Sequence, residues 1–93
     1  MKEKDIERKL VDEIGKCGGK AVKFVSPGFD GMPDRLVLMP GGRCFFVELK
    51  APGKKPGALQ MKRHRMLQGL GFRVYVADTY ESVTEVVDEI RTA

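Results

Sequence analysis

Pro33-Asp34-Arg35-Leu36-Val37-Leu38-Met39, then Pro40-Gly41-Gly42, then Arg43-Cys44-Phe45-Phe46-Val47-Glu48-Leu49-Lys50, is the stretch on which the fold turns. Two apolar runs divided by turn residues predict a β-hairpin with strands over 34–39 and 43–50. Both runs are apolar on both faces, which predicts central strands covered from two sides. The register follows from the loop length. A two-residue loop, Gly41-Gly42, pairs positions that sum to 83 and turns Asp34 away from Glu48. A three-residue loop pairs Met39 with Arg43, so that paired positions sum to 82, Asp34 stands opposite Glu48, and Leu36 meets Phe46. Pro40 suits the first position of a type I turn and Gly42 suits a left-handed residue after it. The three-residue loop is therefore expected, with positive φ at Gly42.

Upstream, Ile6, Leu10 and Ile14, with Val11, recur at helical spacing and predict a helix over 3–17, ended by Gly15, Gly18 and Gly19. A short strand over 20–25 follows, then a breaker-rich loop, Ser26-Pro27-Gly28-Phe29-Asp30-Gly31. Downstream of the hairpin, Ala51 to Pro56 reads as a loop. Residues 57–70 read as a helix with Leu59, Met66, Leu67 and Leu70 inward and Gly71 just past its end. Residues 72–77 alternate as a strand. Ser82-Val83-Thr84-Glu85 reads as a capping box, and Val83, Val86, Val87 and Ile90 form the stripe of a last helix. The order α-β-β-β-α-β-α, with one helix joining the third strand to the fourth, predicts a parallel crossover. The expected fold is an α/β mixed four-stranded sheet flanked by helices, in one domain over 1–93.

Composition narrows the function classes. The 93 residues are 42% hydrophobic and 32% charged, which is ordinary for a globular domain and excludes a collagen-like repeat or a disordered tail. No apolar run reaches the ~18 residues of a membrane span. The charged start, Met1-Lys2-Glu3-Lys4-Asp5, leads into no apolar signal region, so a cytoplasmic location is expected. Cys17 and Cys44 read as buried free thiols, and with His64 the sole histidine they cannot make a zinc site. The formal charge is +4. No acidic residue lies between Glu48 and Asp78, whereas Lys50, Lys54, Lys55, Lys62, Arg63, Arg65 and Arg73 do. A one-sided basic segment suits a polyanion such as nucleic acid, and equally a solvated basic helix.

Asp34, Glu48 and Lys50 sit where a core strand would not place them. Glu48 and Lys50 are two apart, so they share a face, and Leu49 points the other way. Burying them costs several kcal/mol unless they are paired or bind something. Two carboxylates and a lysine on one sheet face offer hard oxygen ligands for magnesium, which takes few carboxylates and keeps its waters. A structural Glu-Lys pair at a strand end is the competing reading.

Gly31-Met32-Pro33-Asp34 followed by Phe46-Val47-Glu48-Leu49-Lys50 resembles the Pro-Asp…(Asp/Glu)-x-Lys signature of restriction-endonuclease-like nucleases, and more narrowly the VRR-NUC domain. An early helical glutamate, Glu7, Gly57-x-Leu59-Gln60 after the hairpin, and Gly71-Phe72-Arg73-Val74 before the last strand extend the likeness over roughly residues 3–78. The resemblance implies a restriction-endonuclease-like core and a Mg²⁺-dependent DNA endonuclease, with Mn²⁺ as substitute. It implies that Asp34, Glu48 and the Leu49 carbonyl hold the metal, that Glu7 approaches it from the first helix, and that Lys50 positions the attacking water. Gln60 would contact Lys50 or the phosphate.

Lys54, Lys55, Lys62, Arg63 and Arg65, with His64, are the candidate DNA contacts, which hold the duplex without reading sequence. Small stand-alone members of the resembling family are linked with phage genomes and branched DNA, which implies branched DNA such as four-way junctions as substrate, with the choice among junction, flap and duplex left open. One site per small chain, and an apolar helix stripe to spare, lead to the expectation of a homodimer. A non-catalytic nucleic-acid-binding module on the same fold is the alternative.

Overall fold

Leu36 faces Phe46 and Met39 faces Arg43 across the hairpin, so paired positions sum to 82. The computed structural model describes residues 1–93. Its elements are α1 (Glu3–Lys16), β1 (Lys20–Lys23), β2 (Arg35–Met39), β3 (Arg43–Leu49), α2 (Ala58–Gly69), β4 (Val74–Ala77) and α3 (Tyr80–Thr92). The strands lie side by side in the order β1-β2-β3-β4. The first two pairings are antiparallel and the last, across the α2 crossover, is parallel.

The register matches the three-residue loop, but the turn is of another type. Both Gly41 (φ 86) and Gly42 (φ 76) are left-handed. A type I turn would keep Gly41 at negative φ; positive φ one residue after proline is the type II pattern. Loop length alone sets the register, so the pairing survives the change. The last helix also starts earlier than Ser82. Thr79 is its cap: the Thr79 Oγ1 accepts from the Ser82 N–H at 3.0 Å and the Ser82 Oγ accepts from the Thr79 N–H at 2.9 Å. A serine hydroxyl thus does what the glutamate of a capping box does.

One sheet face is closed. Ile6, Leu10 and Ile14 of α1 and Val83, Val86, Val87 and Ile90 of α3 pack on Val37, Met39, Phe45, Val47, Leu49 and Ala77, so both helix stripes are spent within the chain and neither is to spare for a partner, contrary to expectation. These strand residues share one parity, as period-two alternation requires. The opposite face carries Val22, Leu36, Leu38, Cys44, Phe46 and Glu48, and there the expected two-sided cover is incomplete. A helix of 12 residues is only ~18 Å long, and α2 lies toward β4. Leu67 is buried beneath it, but Leu38 on β2 is 44% exposed. Leu59 and Leu70, expected inward, are exposed, and Met66 is half-buried. Cys17 and Cys44 are free and half-buried, rather than fully enclosed.

Candidate active site

Asp34 and Glu48 reach one sheet face from adjacent strands. Asp34 follows the buried Pro33 and immediately precedes β2. Its Oδ1 accepts a 3.0 Å hydrogen bond from the Leu49 N–H, while its own carbonyl accepts from the Phe24 N–H at 2.9 Å. The carboxyl is thereby tied to the β3 backbone next to Glu48. Glu48 is 2% exposed, and Lys50 Nζ lies 3.9 Å from its Oε2. The Leu49 side chain points the other way, into the α1–α3 core, as alternation dictates.

Helix α2 holds both oxygens of Glu48. Gln60 Nε2 donates to Oε2 at 3.2 Å, and His64 Nε2 lies 3.3 Å from Oε1. Residues four apart on a helix project from one face, which is why both reach the same side chain. The Gln60 Oε1 meanwhile accepts from the Gly57 N–H at 2.9 Å, capping the helix and orienting the amide with its NH₂ toward Glu48. His64 is therefore not a surface contact for DNA: it is 3% exposed and turned onto a carboxylate.

Burial raises the Asp34 carboxyl above its ordinary value, against the hydrogen bond from Leu49. Burial, and then the charge of Asp34, push Glu48 up to about 7, with Lys50 opposing. Burial, and then Lys50, lower the His64 imidazole. Two desolvated carboxylates that repel each other, with the Lys50 ammonium 3.9 Å from one of them, have chemistry that a divalent cation completes. Their hard oxygens fit magnesium or manganese.

The remaining expected site residues are distributed differently. Glu7 is not directed at this pair: its carboxylate is 2.7 Å from the Arg35 guanidinium. Arg35 follows Asp34 and so points to the opposite face, where it is 7% exposed and donates to the Ala21 carbonyl. A guanidinium that deep needs a counter-ion, and Glu7 supplies it. The α1 carboxylate whose charge reaches both Asp34 and Glu48 is Glu3, one turn earlier. Arg63 is also occupied within the molecule, by the Asp30 carbonyl at 2.8 Å and by the Phe29 ring, whose centroid is 3.9 Å from its guanidinium carbon. Lys54, Lys55, Lys62 and Arg65 are exposed on the loop before α2 and on α2 itself. No sequence motif marks Arg35 or Phe29; a lone arginine inside an apolar strand is the available signal for the first. A groove of about 330 Å³ runs along α1 to Tyr80, lined by charges of both signs, and includes none of Asp34, Glu48 or Lys50. A site that receives a nucleic-acid strand is an open surface, so the carboxylate cluster is the better candidate.

No protein-family model matches the chain. A phage protein named "Putative nuclease p44", from Acyrthosiphon pisum secondary endosymbiont phage 1, is 51% identical over 81 residues, covering 87% of each chain. A solved structure described as "VRR_NUC domain" superposes with a TM-score of 0.86 at 28% identity, over 92% of this chain and 94% of that one.

Proposed function

The chain belongs to the VRR-NUC family of nucleases, and from that membership we propose that it is a Mg²⁺-dependent DNA endonuclease, selective for branched DNA, acting as a homodimer. What supports the chemistry is one observation: Asp34 and Glu48 share a sheet face with Lys50, and burial resists the ionisation of both carboxyls.

In this reading Asp34, Glu48 and the Leu49 carbonyl would hold the metal, which would supply Lewis-acid chemistry for phosphodiester hydrolysis. Mn²⁺ substitutes for it, since both ions accept oxygen ligands. Lys50 orients the attacking water or stabilises charge on the phosphate. Gln60 and His64 fix the Glu48 carboxylate from both sides, and Glu7 acts on α1 by neutralising Arg35. Lys54, Lys55, Lys62 and Arg65 contact phosphates along the strand.

Two considerations support the homodimer. Cutting paired strands or a junction takes two sites, which a two-fold pair supplies. The sheet face beyond α2 leaves Val22 38% and Leu38 44% exposed, beside Cys44 and with the exposed Lys20 opposite Leu38, a mostly apolar strip that a second copy would bury. No helix is long and apolar enough to cross a membrane.

The test is a panel of labelled four-way junctions, flaps, single strands and duplexes, each with Mg²⁺ and with EDTA. Cleavage in Mg²⁺ alone, strongest on branched DNA, is the expected result. Binding without cleavage under every condition would instead identify a non-catalytic module, and activity undiminished by EDTA would remove the metal from the mechanism.

A further inference from the structure

The loop between β1 and β2 is pressed onto α2. Gly31 (φ 88) has no side chain to spare: a Cβ there would meet Leu59 at 2.7 Å and Arg63 at 3.2 Å. Arg63 Nε donates to the Asp30 carbonyl at 2.8 Å, and its guanidinium lies 3.9 Å over the Phe29 ring. A loop held by backbone fit, a hydrogen bond and a stacked cation is rigid. Yet it leaves Phe29 38% exposed, with one ring face covered by Arg63. Exposed phenylalanines elsewhere need no explanation singly. This one differs in its surroundings: it sits on the flank of the basic helix, and its own loop runs on into Asp34.

We propose that Phe29, backed by Arg63, is a stacking platform for an unpaired base beside the scissile phosphate. The proposal rests on the nuclease reading above and adds a substrate feature to it. Phe29 stands five positions before Asp34, so their Cα atoms lie at most about 18 Å apart, less because the chain turns. One DNA strand advances ~3.4 Å per nucleotide, so a base within a few nucleotides of the cleavage point reaches the ring. Inside a duplex both faces of a base are already stacked. Only a base freed at a flap or an open branch point offers a π-face, and stacking on an aromatic side chain is indifferent to which base it is. The Arg63 guanidinium holds the ring at its rear and adds positive charge for the neighbouring phosphate.

The experiment uses the full chain with a flap carrying 2-aminopurine as the unpaired base at the branch, in Ca²⁺ to hold back cleavage, and a cleavage assay of the same flap in Mg²⁺. Wild type should quench the 2-aminopurine. Phe29→Leu, which keeps the apolar contact with the Arg63 stem, should leave it bright and raise KM for the flap about tenfold at unchanged kcat, with fully paired duplex cut as before. Phe29→Trp should quench as wild type does, and it serves if the leucine variant proves unstable. Equal quenching by wild type and Phe29→Leu overturns the platform. So does a loss in Phe29→Leu that is equal on flap and paired duplex, which would make the ring only a brace for the loop. Failure of wild type to cut any DNA would overturn the nuclease reading, while the fluorescence would still report on the platform.

Discussion

His64 Nε2 lies 3.3 Å from Glu48 Oε1, and both side chains are almost wholly buried. With Gln60 on the other oxygen, Glu48 has no conformational freedom to lose when it takes a ligand. His64→Leu or Gln60→Leu should leave a buried oxygen without a donor, at a cost of about 1–3 kcal/mol in urea unfolding. Mn²⁺ affinity measured calorimetrically without DNA should fall in both variants. His64→Gln, whose amide can still donate, should recover part of it. Unchanged Mn²⁺ affinity in His64→Leu would show that the imidazole only fills space.

The pH dependence of the metal-free protein follows from the same carboxylate. Glu48 stands at about 7 in the fold against its ordinary 4.5. A folded-state value above the unfolded one gives stability that is present below pH 4.5 and lost as pH rises through 7. Asp34, also raised, acts in the same direction. His64, lowered from 6.5, acts oppositely, its contribution being present above 6.5 and lost as pH falls. Glu48→Gln removes the first effect. In EDTA its stability relative to wild type should therefore improve between pH 4.5 and 7, by about 3 kcal/mol, and level off above. Parallel stability curves for the two proteins would contradict the burial argument.

Cleavage should depend on each member of the cluster in a different way. Asp34→Asn and Glu48→Gln change little volume and remove a charge, so cleavage should drop at least about 100-fold with the fold intact by circular dichroism. Lys50→Ala should lose cleavage comparably yet retain Mn²⁺ binding. Ca²⁺ should support DNA binding with little cutting. Near-normal rates in Asp34→Asn would dismantle the assignment.

Glu7→Gln separates two roles for that residue. As partner of the 7%-exposed Arg35 it should matter for stability. Because Glu7 itself is about one-third exposed, the loss should be moderated by solvent, to about 1–2 kcal/mol. The kcat of the folded protein should remain within about threefold of wild type, a change of under about 1 kcal/mol in the barrier. A loss of Mn²⁺ affinity as large as in Glu48→Gln would instead make Glu7 a metal ligand.

The open sheet face predicts the assembly. Sedimentation should give about twice the 10.4 kDa chain mass. Leu38→Glu puts a charge into the apolar contact and should yield monomer at the same concentration with the fold kept by circular dichroism, because Leu38 is 44% exposed within one chain and its cross-strand neighbour is Lys20. Monomeric wild type would refute the homodimer while leaving the chemistry untouched.

The hairpin shows how far the chain's local order reaches. Loop length and period-two alternation are properties of neighbouring residues, so 34–39 and 43–50 read correctly as strands in a register that brings Asp34 to the Glu48 side. The order of elements, the stripes of α1 and α3, and the left-handed Gly42 and Gly71 were legible for the same reason. So was the Asp34, Glu48, Lys50 set, because charges inside apolar strands stand out. What sequence did not decide is how the helices are rotated and seated on the sheet. Gln60 and His64 share a helix face in any helix, but only the docking of α2 on the β4 side of the sheet turns that face onto Glu48. The same docking spends Arg63 on Phe29 and leaves Leu59 and Leu70 outside. Glu7 and Glu3 lie one helical turn apart, equivalent by periodicity, and the buried Arg35 on β2 distinguishes them by taking one. These outcomes are contacts between residues distant in sequence, chosen by packing and charge compensation in three dimensions, and no local pattern encodes them.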